Sequence, residues 1–255
     1  MDYISDKFKE DFPEHFAGKV FNDSVNGRMF YQYQPLKNEY IQTIIDHSLY
    51  VSDPSNFNDP FDCWGLLVND IEHYNFEKVT QSEIKLRKGV KELGVVCLTS
   101  SWDNQLMWSH YAGSHTGICL GFKFSDLTWK DRDYFLLRPV QYSNITPIPM
   151  SKAWKDEKKG LPSEATATTF LRTKNPDWHY EKEWRIICKP EYRGKKLRFS
   201  HFGIELKEII FGKDISSKKR EEVISSLTVK EINVEYFEIV FDRNLMSLTK
   251  VLLAK

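Results

Sequence analysis

The chain has 255 residues, 41% of them hydrophobic, and its 36 Lys and Arg residues balance 36 Asp and Glu residues. This length supports one large domain with a substantial core, and a net charge of zero gives no global attraction to nucleic acid or anionic lipid. Four cysteines without a C-x-x-C pair argue against a disulfide framework, and the absence of an apolar run of about 18 residues argues against a membrane span. We therefore expect a cytoplasmic protein with reduced cysteines and no membrane partner.

The first third of the chain mixes charged, aromatic and turn-forming residues. Residues 1–26 are predicted to form an N-terminal arm, and residues 27–255 a single α+β domain. A strand is predicted over 29–33, and a helix with Asn38 as its N-cap over 38–47. A short strand over 49–52 and a helix over 66–93, ended by Gly94, complete this part.

In the middle of the chain, apolar runs alternate with segments whose apolar residues have helical spacing. The run 95–99 is typical of a strand buried on both faces. The pattern then predicts a helix over 104–112, strands over 116–124 and 134–142, and a helix over 150–176 stopped by Asn175 and Pro176.

The last third is predicted to be mainly β-structure. Strands are expected over 183–188, 197–199, 204–211 and 234–241, with one amphipathic helix over 216–227. Strands outnumber helices and do not alternate with them regularly, which favours the α+β class. We expect a central mixed or antiparallel sheet flanked by helices.

The stretch 178–187, W-H-Y-E-K-E-W-R-I-I, is the first candidate for chemistry. Side chains alternate along a strand, so Glu183 and Arg185 share one face, and Glu181 joins them if the strand begins early. Two carboxylates beside aromatic rings are typical of a site with tuned pKa values. The alternative is a surface strand on which Glu183 and Arg185 pair across solvent.

Several familiar sites have no matching motif. The sequence has no G-x-G-x-x-G after a strand, no G-x-x-x-x-G-K-[ST], no H-E-x-x-H and no C-x-x-C, so no metal site is expected. Ser100 and Ser101 stand at a predicted strand-to-helix turn, where they would cap the helix or contact phosphate. Asn58, Asp59 and Pro60 predict a rigid Asx-type turn.

Five motifs together resemble a widespread bacterial family known as a domain of unknown function. They are N-D-P at 58–60, M-W-S-H-Y at 107–111, Y-E-K-E-W-R at 180–185, Y-Q-Y at 31–33 and F-G at 211–212. By motif order the resemblance extends over about residues 30–241. It implies no established activity.

A more remote resemblance is to ADP-ribosyltransferase-type folds, with their split sheet. It implies that NAD is the substrate and that Glu183 is the catalytic carboxylate that holds the ribose 2′-OH, while Glu181 orients the acceptor. It assigns NAD-binding roles to a further set of residues: Tyr31 and Tyr33 against nicotinamide, Ser100 and Ser101 as the central serine motif, Trp108, His110 and Tyr111 near adenine, and Arg185 near phosphate. The chain departs from that family in having Y-Q-Y where a His or Arg is usual, and Trp108 and Tyr111 also have the spacing of core residues.

The leading hypothesis is an NAD-dependent ADP-ribosyltransferase or NAD glycohydrolase, acting as a bacterial toxin or phage-defence effector. Its acceptor would be a protein or nucleic acid, and its partner an antitoxin or another defence protein. One alternative is a non-catalytic interaction or nucleotide-sensing domain, with the 178–187 stretch forming an ion-pair network. Another is a metal-dependent nuclease that uses four carboxylates: Asp59, Asp62, Glu181 and Glu183.

Overall fold

The computed structural model describes residues 25, 27–59, 61–63, 92–124, 135–143 and 171–253. Three expectations fall wholly or mainly outside these residues: the arm over 1–26, the helix over 66–93 and residues 150–170 of the helix over 150–176. None of the helices in the described ranges is long and apolar enough to cross a membrane.

Four α-helices lie wholly within the described residues: α1 (Asn38–Ile45), α2 (Gln105–Tyr111), α3 (Phe199–Phe202) and α4 (Ser217–Val229). The described strands are β1 (Met29–Gln34), β2 (Ser48–Tyr50), β3 (Gly94–Thr99), β4 (Ile118–Phe124), β5 (Phe135–Pro139), β6 (Gln141–Tyr142), β7 (Thr173–Lys174), β8 (Glu183–Cys188), β9 (Lys196–Arg198), β10 (Ile204–Phe211), β11 (Glu235–Asp242) and β12 (Ser247–Leu252). Short 3₁₀ helices cover Pro54–Asn56, Pro176–Glu181 and Pro190–Tyr192.

The first of two compact units comprises residues 1–50, 98–133 and 196–255. Its sheet has the strand order β12-β11-β10-β4-β1, followed by the last two residues of β3. The pairing is antiparallel except between β10 and β11, so the sheet is mixed. β4 lies in the middle of this order, and six of its seven residues are buried, as expected for a strand with almost no polar residues.

The second unit comprises residues 51–97 and 134–195. Its strands follow the order β3-β8-β5, and β5 and β8 are antiparallel with Arg138 opposite Arg185. A small parallel pair, β6 with β7, places Tyr142 beside Lys174. The buried side chains of β8 include both apolar and charged residues, so this unit has polar groups in its core.

The α+β class with a mixed sheet is confirmed. The strands predicted over 29–33, 95–99, 183–188 and 204–211 are present with shifts of one residue at most. β12 was not predicted, because its sequence S-L-T-K-V-L mixes polar and apolar residues without an apolar face that clearly alternates with a polar one.

Two local predictions were wrong. Residues 173–174 form β7 and residues 176–181 a 3₁₀ helix, so the helix predicted to reach 176 does not extend over its last residues. Pro176 starts the 3₁₀ helix, as a proline at a first helical position can. The N-cap of α1 is Lys37, which makes no capping bond through its side chain, and Asn38 is already helical.

Gly117 gives a test of packing in the first unit, because a Cβ there would lie 2.3 Å from the Gln34 carbonyl oxygen and 2.7 Å from the Ala112 carbonyl oxygen. Both neighbours are backbone atoms, which cannot rotate away. We expect Gly117→Ala to lower the free energy of unfolding by about 1–3 kcal/mol in chemical denaturation. Glu221→Ala on the exposed face of α4 is the control, with a change within about 0.5 kcal/mol. Equal stability of the two variants would contradict the close packing.

Candidate functional site

Arg185 in β8 is fully buried, and its guanidinium has an acceptor for each of its five N–H groups. Nε and Nη2 donate to the Glu183 carboxylate at 2.7 and 3.0 Å. Nη1 and Nη2 donate to the Asp62 carboxylate at 2.8 and 2.6 Å, and Nη1 also donates to the Leu171 carbonyl at 2.7 Å. The guanidinium is therefore the centre of a bidentate arrangement with two carboxylates, and it leaves no donor for a ligand.

Glu183 is 6% exposed, and both of its carboxylate oxygens are engaged. Oε1 accepts from Arg185, and Oε2 accepts from Arg185 and from Lys174 Nζ at 3.1 Å. The Cys97 thiol is also hydrogen-bonded to this carboxylate. The Glu183 backbone N–H donates to the Tyr142 hydroxyl at 2.8 Å. The pairing of Glu183 with Arg185 is as the alternation predicted, but it is buried, so the surface-strand alternative is wrong.

Lys174 completes the group and was not identified from the sequence. Its ammonium lies 2.5 Å from Glu181, 3.1 Å from Glu183 and 3.4 Å from Asp62, and it sits 4.9 Å from the centre of the Trp178 ring. Three carboxylates thus surround one ammonium. The only sequence signal near Lys174 was the Asn175-Pro176 stop, which gave no information about which way the lysine points.

We call these five side chains the Arg185 cluster: Asp62, Lys174, Glu181, Glu183 and Arg185. It holds three acids and two bases, all 6% exposed or less. Burial alone raises the pKa of Glu183, but Arg185 and Lys174 outweigh that effect, and the net pKa is lowered. Burial likewise lowers the pKa of Lys174, and the carboxylates of Glu183, Asp62 and Glu181 reverse this and raise it. The opposite charges around Glu183 and Lys174 therefore favour the charged form of both side chains.

The turn between residues 175 and 183 brings two glutamates to the same lysine. The Asn175 side chain accepts from the Asp177 N–H at 2.9 Å and caps the start of the 3₁₀ helix. Lys182, the residue after the helix, has a left-handed φ of 45°. This reversal lets Glu181, at the end of the helix, and Glu183, at the start of β8, meet the same ammonium. The early strand start that would have placed both carboxylates on one strand face is absent, because β8 begins at Glu183, and it is the turn that brings them together.

The loop with the N-D-P motif supplies the other side of the Arg185 cluster. Asp59 Oδ1 accepts from the Phe61 N–H at 2.9 Å, and the Asp62 N–H donates to the Asp59 carbonyl at 3.1 Å, which is the predicted Asx-type turn. This turn delivers Asp62 to Arg185, and the Phe57 ring lies 5.2 Å from the guanidinium carbon. Asn58 is exposed, and Pro60 lies outside the described residues. Asp62, two residues after the N-D-P motif, is therefore linked to the Y-E-K-E-W-R motif by a buried ion pair.

The other predicted site residues belong to the first unit. Tyr31 pairs with Thr99 across β1 and β3, and its hydroxyl is hydrogen-bonded to Glu208. The Tyr33 hydroxyl donates to the Ser101 carbonyl at 3.1 Å, and the Tyr33 ring meets the Trp108 ring edge-on at 5.0 Å.

Trp108 is fully buried, and its indole N–H donates to the Trp102 carbonyl at 2.8 Å. Ser100 is half-buried and follows β3 directly, His110 is exposed, and Tyr111 is half-buried. The α2 helix that carries the last two is capped by Asn104, not by Ser100 or Ser101. Tyr33 and Trp108 are therefore core residues in this structure. For Trp108 the helical spacing had already offered this alternative to a role in NAD binding.

Three of the four carboxylates proposed for a metal bind Lys174 or Arg185 instead. Across the described ranges, no group of three or more His, Cys, Asp or Glu side chains is arranged to hold a metal ion. Asp62, Glu181 and Glu183 do converge, but the position between them is taken by the Lys174 ammonium. The nuclease alternative therefore has no observation in its favour.

Residues 107–186 match the model of a family described as Protein of unknown function (DUF2971). The matched stretch begins in α2 and ends in β8, so it includes the M-W-S-H-Y and Y-E-K-E-W-R motifs, and the resemblance inferred from them is confirmed. No curated protein and no solved structure matches the chain.

Glu183→Gln tests the Arg185 cluster, because the amide keeps the shape of the side chain but leaves Arg185 and Lys174 with one charge fewer to balance them. We expect the free energy of unfolding to fall by about 3–5 kcal/mol, as when one partner of a buried pair is removed. The control is Glu205→Gln, which breaks a 2.6 Å pair with Lys207 that is 64% exposed on the glutamate side and should cost less than about 1 kcal/mol. Similar losses in the two variants would show that the cluster is not buried in solution.

The same cluster predicts how stability depends on pH. The lowered pKa of Glu183 gives stability that is present above the ordinary value of 4.5 and is lost as the pH falls further. The raised pKa of Lys174 gives stability that is present below 10.5 and is lost at higher pH. Denaturant titrations between about pH 3 and pH 7 should show a smaller acid loss for Glu183→Gln than for the wild type. Parallel curves would contradict the assignment.

Proposed function

We propose that the second unit is a non-catalytic interaction or nucleotide-sensing domain, in which the Arg185 cluster is a structural ion-pair network. One observation carries this proposal: both carboxylate oxygens of Glu183 are held by Arg185 and Lys174 in a place that is 6% exposed. A carboxylate in this position acts on its neighbours and not on a ligand.

The chemistry of ADP-ribosyl transfer explains why this observation matters. Loss of nicotinamide leaves an oxocarbenium-like ribose, which a catalytic glutamate stabilises through the ribose 2′-OH. That hydroxyl needs a carboxylate oxygen that can be reached and whose charge is not already neutralised. Glu183 has two cations within 3.1 Å, so its field at a substrate would be weak.

An ADP-ribosyltransferase-like enzyme is the second candidate, and one observation in the first unit favours it. Tyr31 lies opposite Thr99, so the first strand is next to the Ser100-Ser101 segment, and the remote resemblance assigns both to NAD binding. In this proposal NAD binds beside β1, and the acceptor is a protein or nucleic acid. The resemblance to ADP-ribosyltransferase-type folds adds a toxin or phage-defence role with a partner protein.

Titration of NAD into the purified chain distinguishes the two candidates. Heat of binding and released nicotinamide are measured together, at concentrations up to about 1 mM, the upper end of ordinary KM values. We expect no nicotinamide above the protein-free blank. Heat of binding without release supports the nucleotide-sensing form of the proposal, and the absence of both supports the interaction form.

Release of nicotinamide by the wild type would overturn the proposal. Glu183→Gln then decides the catalytic role: loss of turnover by about 10²-fold with the fold intact makes Glu183 catalytic. Unfolding of that variant would leave the question to Glu181→Gln, which should spare nicotinamide release and lower transfer to the acceptor if Glu181 orients the acceptor.

A further inference from the structure

Ser109 and His115, both in the first unit, form a serine–histidine pair that the functions considered above do not use. The Ser109 hydroxyl oxygen lies 3.2 Å from His115 Nε2. Ser109 is exposed on α2, inside the M-W-S-H-Y motif, and His115 follows six residues later. A hydroxyl within hydrogen-bond reach of an imidazole nitrogen is the arrangement that activates a serine nucleophile.

The backbone between the two residues is bent in an unusual way. Gly113, Ser114 and His115 all have left-handed φ values, of 55°, 53° and 67°. Two of these residues carry a Cβ, for which this region is strained, and such strain is found most often where a side chain must be placed for function. The three residues turn the chain back, so that His115 lies beside the helix that it has just left.

Two aromatic rings lie beside the His115 imidazole, and hydrogen bonds hold its backbone in place. Its ring stacks on Trp108 at 6.5 Å with an interplanar angle of 13°, and the Phe241 ring lies 6.2 Å away. Its backbone N–H donates to the Trp108 carbonyl at 3.2 Å, and its carbonyl accepts from the Asp214 N–H at 3.0 Å. A Cβ on residue 212 would approach that carbonyl to 2.2 Å, so Gly212 makes this contact possible.

The second ring nitrogen of His115, Nδ1, is buried and has no hydrogen-bond partner among the described residues. A buried polar atom without a partner is costly, and such atoms are rare unless they have a role. Burial lowers the pKa of His115, an effect that Asp214 opposes and Lys213 reinforces. The lowered pKa favours the neutral imidazole, in which Nε2 can accept a proton from Ser109 when the ring hydrogen is on Nδ1.

We propose that Ser109 is a nucleophile, that His115 is its general base, and that the pair reacts with carboxylic esters. In this step His115 Nε2 takes the proton from the Ser109 hydroxyl, the hydroxyl oxygen bonds to the acyl carbon, and the bond to the alcohol breaks. The alcohol leaves with the proton from His115. Water then attacks the acylated serine by the same route, which releases the carboxylic acid and restores both residues.

This activity goes beyond the proposed function, because all of its residues lie in the first unit and the Arg185 cluster lies in the second. The rings of Trp108 and Phe241 lie beside the His115 imidazole, where a carboxylate usually orients a catalytic histidine. A purely structural contact between Ser109 and His115 would close the turn after α2 but would give the serine no reactivity.

Covalent labelling of the full-length wild type tests the proposal. A fluorophosphonate probe forms a bond from the serine oxygen to phosphorus and expels fluoride, and peptide mass spectrometry then locates the adduct. We expect the label on Ser109, with hydrolysis of p-nitrophenyl acetate as a second readout. His115→Asn should slow labelling by about 10²-fold or more, the usual contribution of a general base.

Two variants serve as controls: Ser114→Ala removes a neighbouring exposed serine, and His201→Asn removes an exposed histidine of α3 in the same unit. Both should label at the wild-type rate. The labelling rate should rise with pH until it passes the lowered pKa of His115, which is below 6.5, and should then stay constant. Each variant is compared by circular dichroism before labelling.

Three results would overturn the proposal. The first is a wild type that takes up no label, or takes it up on another serine, which needs no variant and does not depend on folding. The second is a His115→Asn variant that is folded and labels at the wild-type rate. The third is a labelling rate that keeps rising above pH 8, as an unassisted serine would show. The NAD experiment is unaffected by any of them.

Discussion

The second unit depends on the burial of one guanidinium. Arg185 is out of contact with water, and the cost of removing a positive charge from water is several kcal/mol unless each donor is paired. The pairing is complete because Asp62 and Glu183 each receive two N–H groups and the Leu171 carbonyl receives one. Those acceptors come from the 57–63 loop, from residue 171 and from β8, so one side chain holds three separate segments together.

Lys174 extends this arrangement and determines what the acidic residues can do. It binds Glu181, Glu183 and Asp62 at once, which neutralises carboxylates that would otherwise repel one another. A buried network of this kind gives little net stability relative to apolar residues, but removal of any one member leaves an uncompensated charge. It therefore favours one specific arrangement of the segments. Glu183 is an example. Its sequence neighbourhood, carboxylates beside aromatic residues, is typical of an active site, but its carboxylate is bound by the buried Arg185 and Lys174.

In the first unit, unlike the second, the polar residue of interest is exposed. There Tyr31, Tyr33 and Trp108 of the motifs are buried, while Ser109 faces solvent. The strained residues 113–115 bring His115 to that serine. The stretch that matches the family of unknown function, 107–186, contains this pair and four members of the Arg185 cluster. A function for that family can therefore be sought in either unit, by separate experiments.

Local patterns in the sequence determined several of the longer strands, the α+β class, the shared face of Glu183 and Arg185, and the turn at Asp59, because each depends on residues close together in the chain. Tertiary structure alone decided the rest. Asp62 reaches Arg185 over 123 residues, and Lys174 reaches Glu181 and Glu183 from a two-residue strand that no period reveals. The pairing of Ser109 with His115 depends on three left-handed residues, two of which are not glycine. Periodicity shows which way a side chain points, but the partner it meets is set by how distant segments pack, and here those partners decide whether a carboxylate or a serine is free to react.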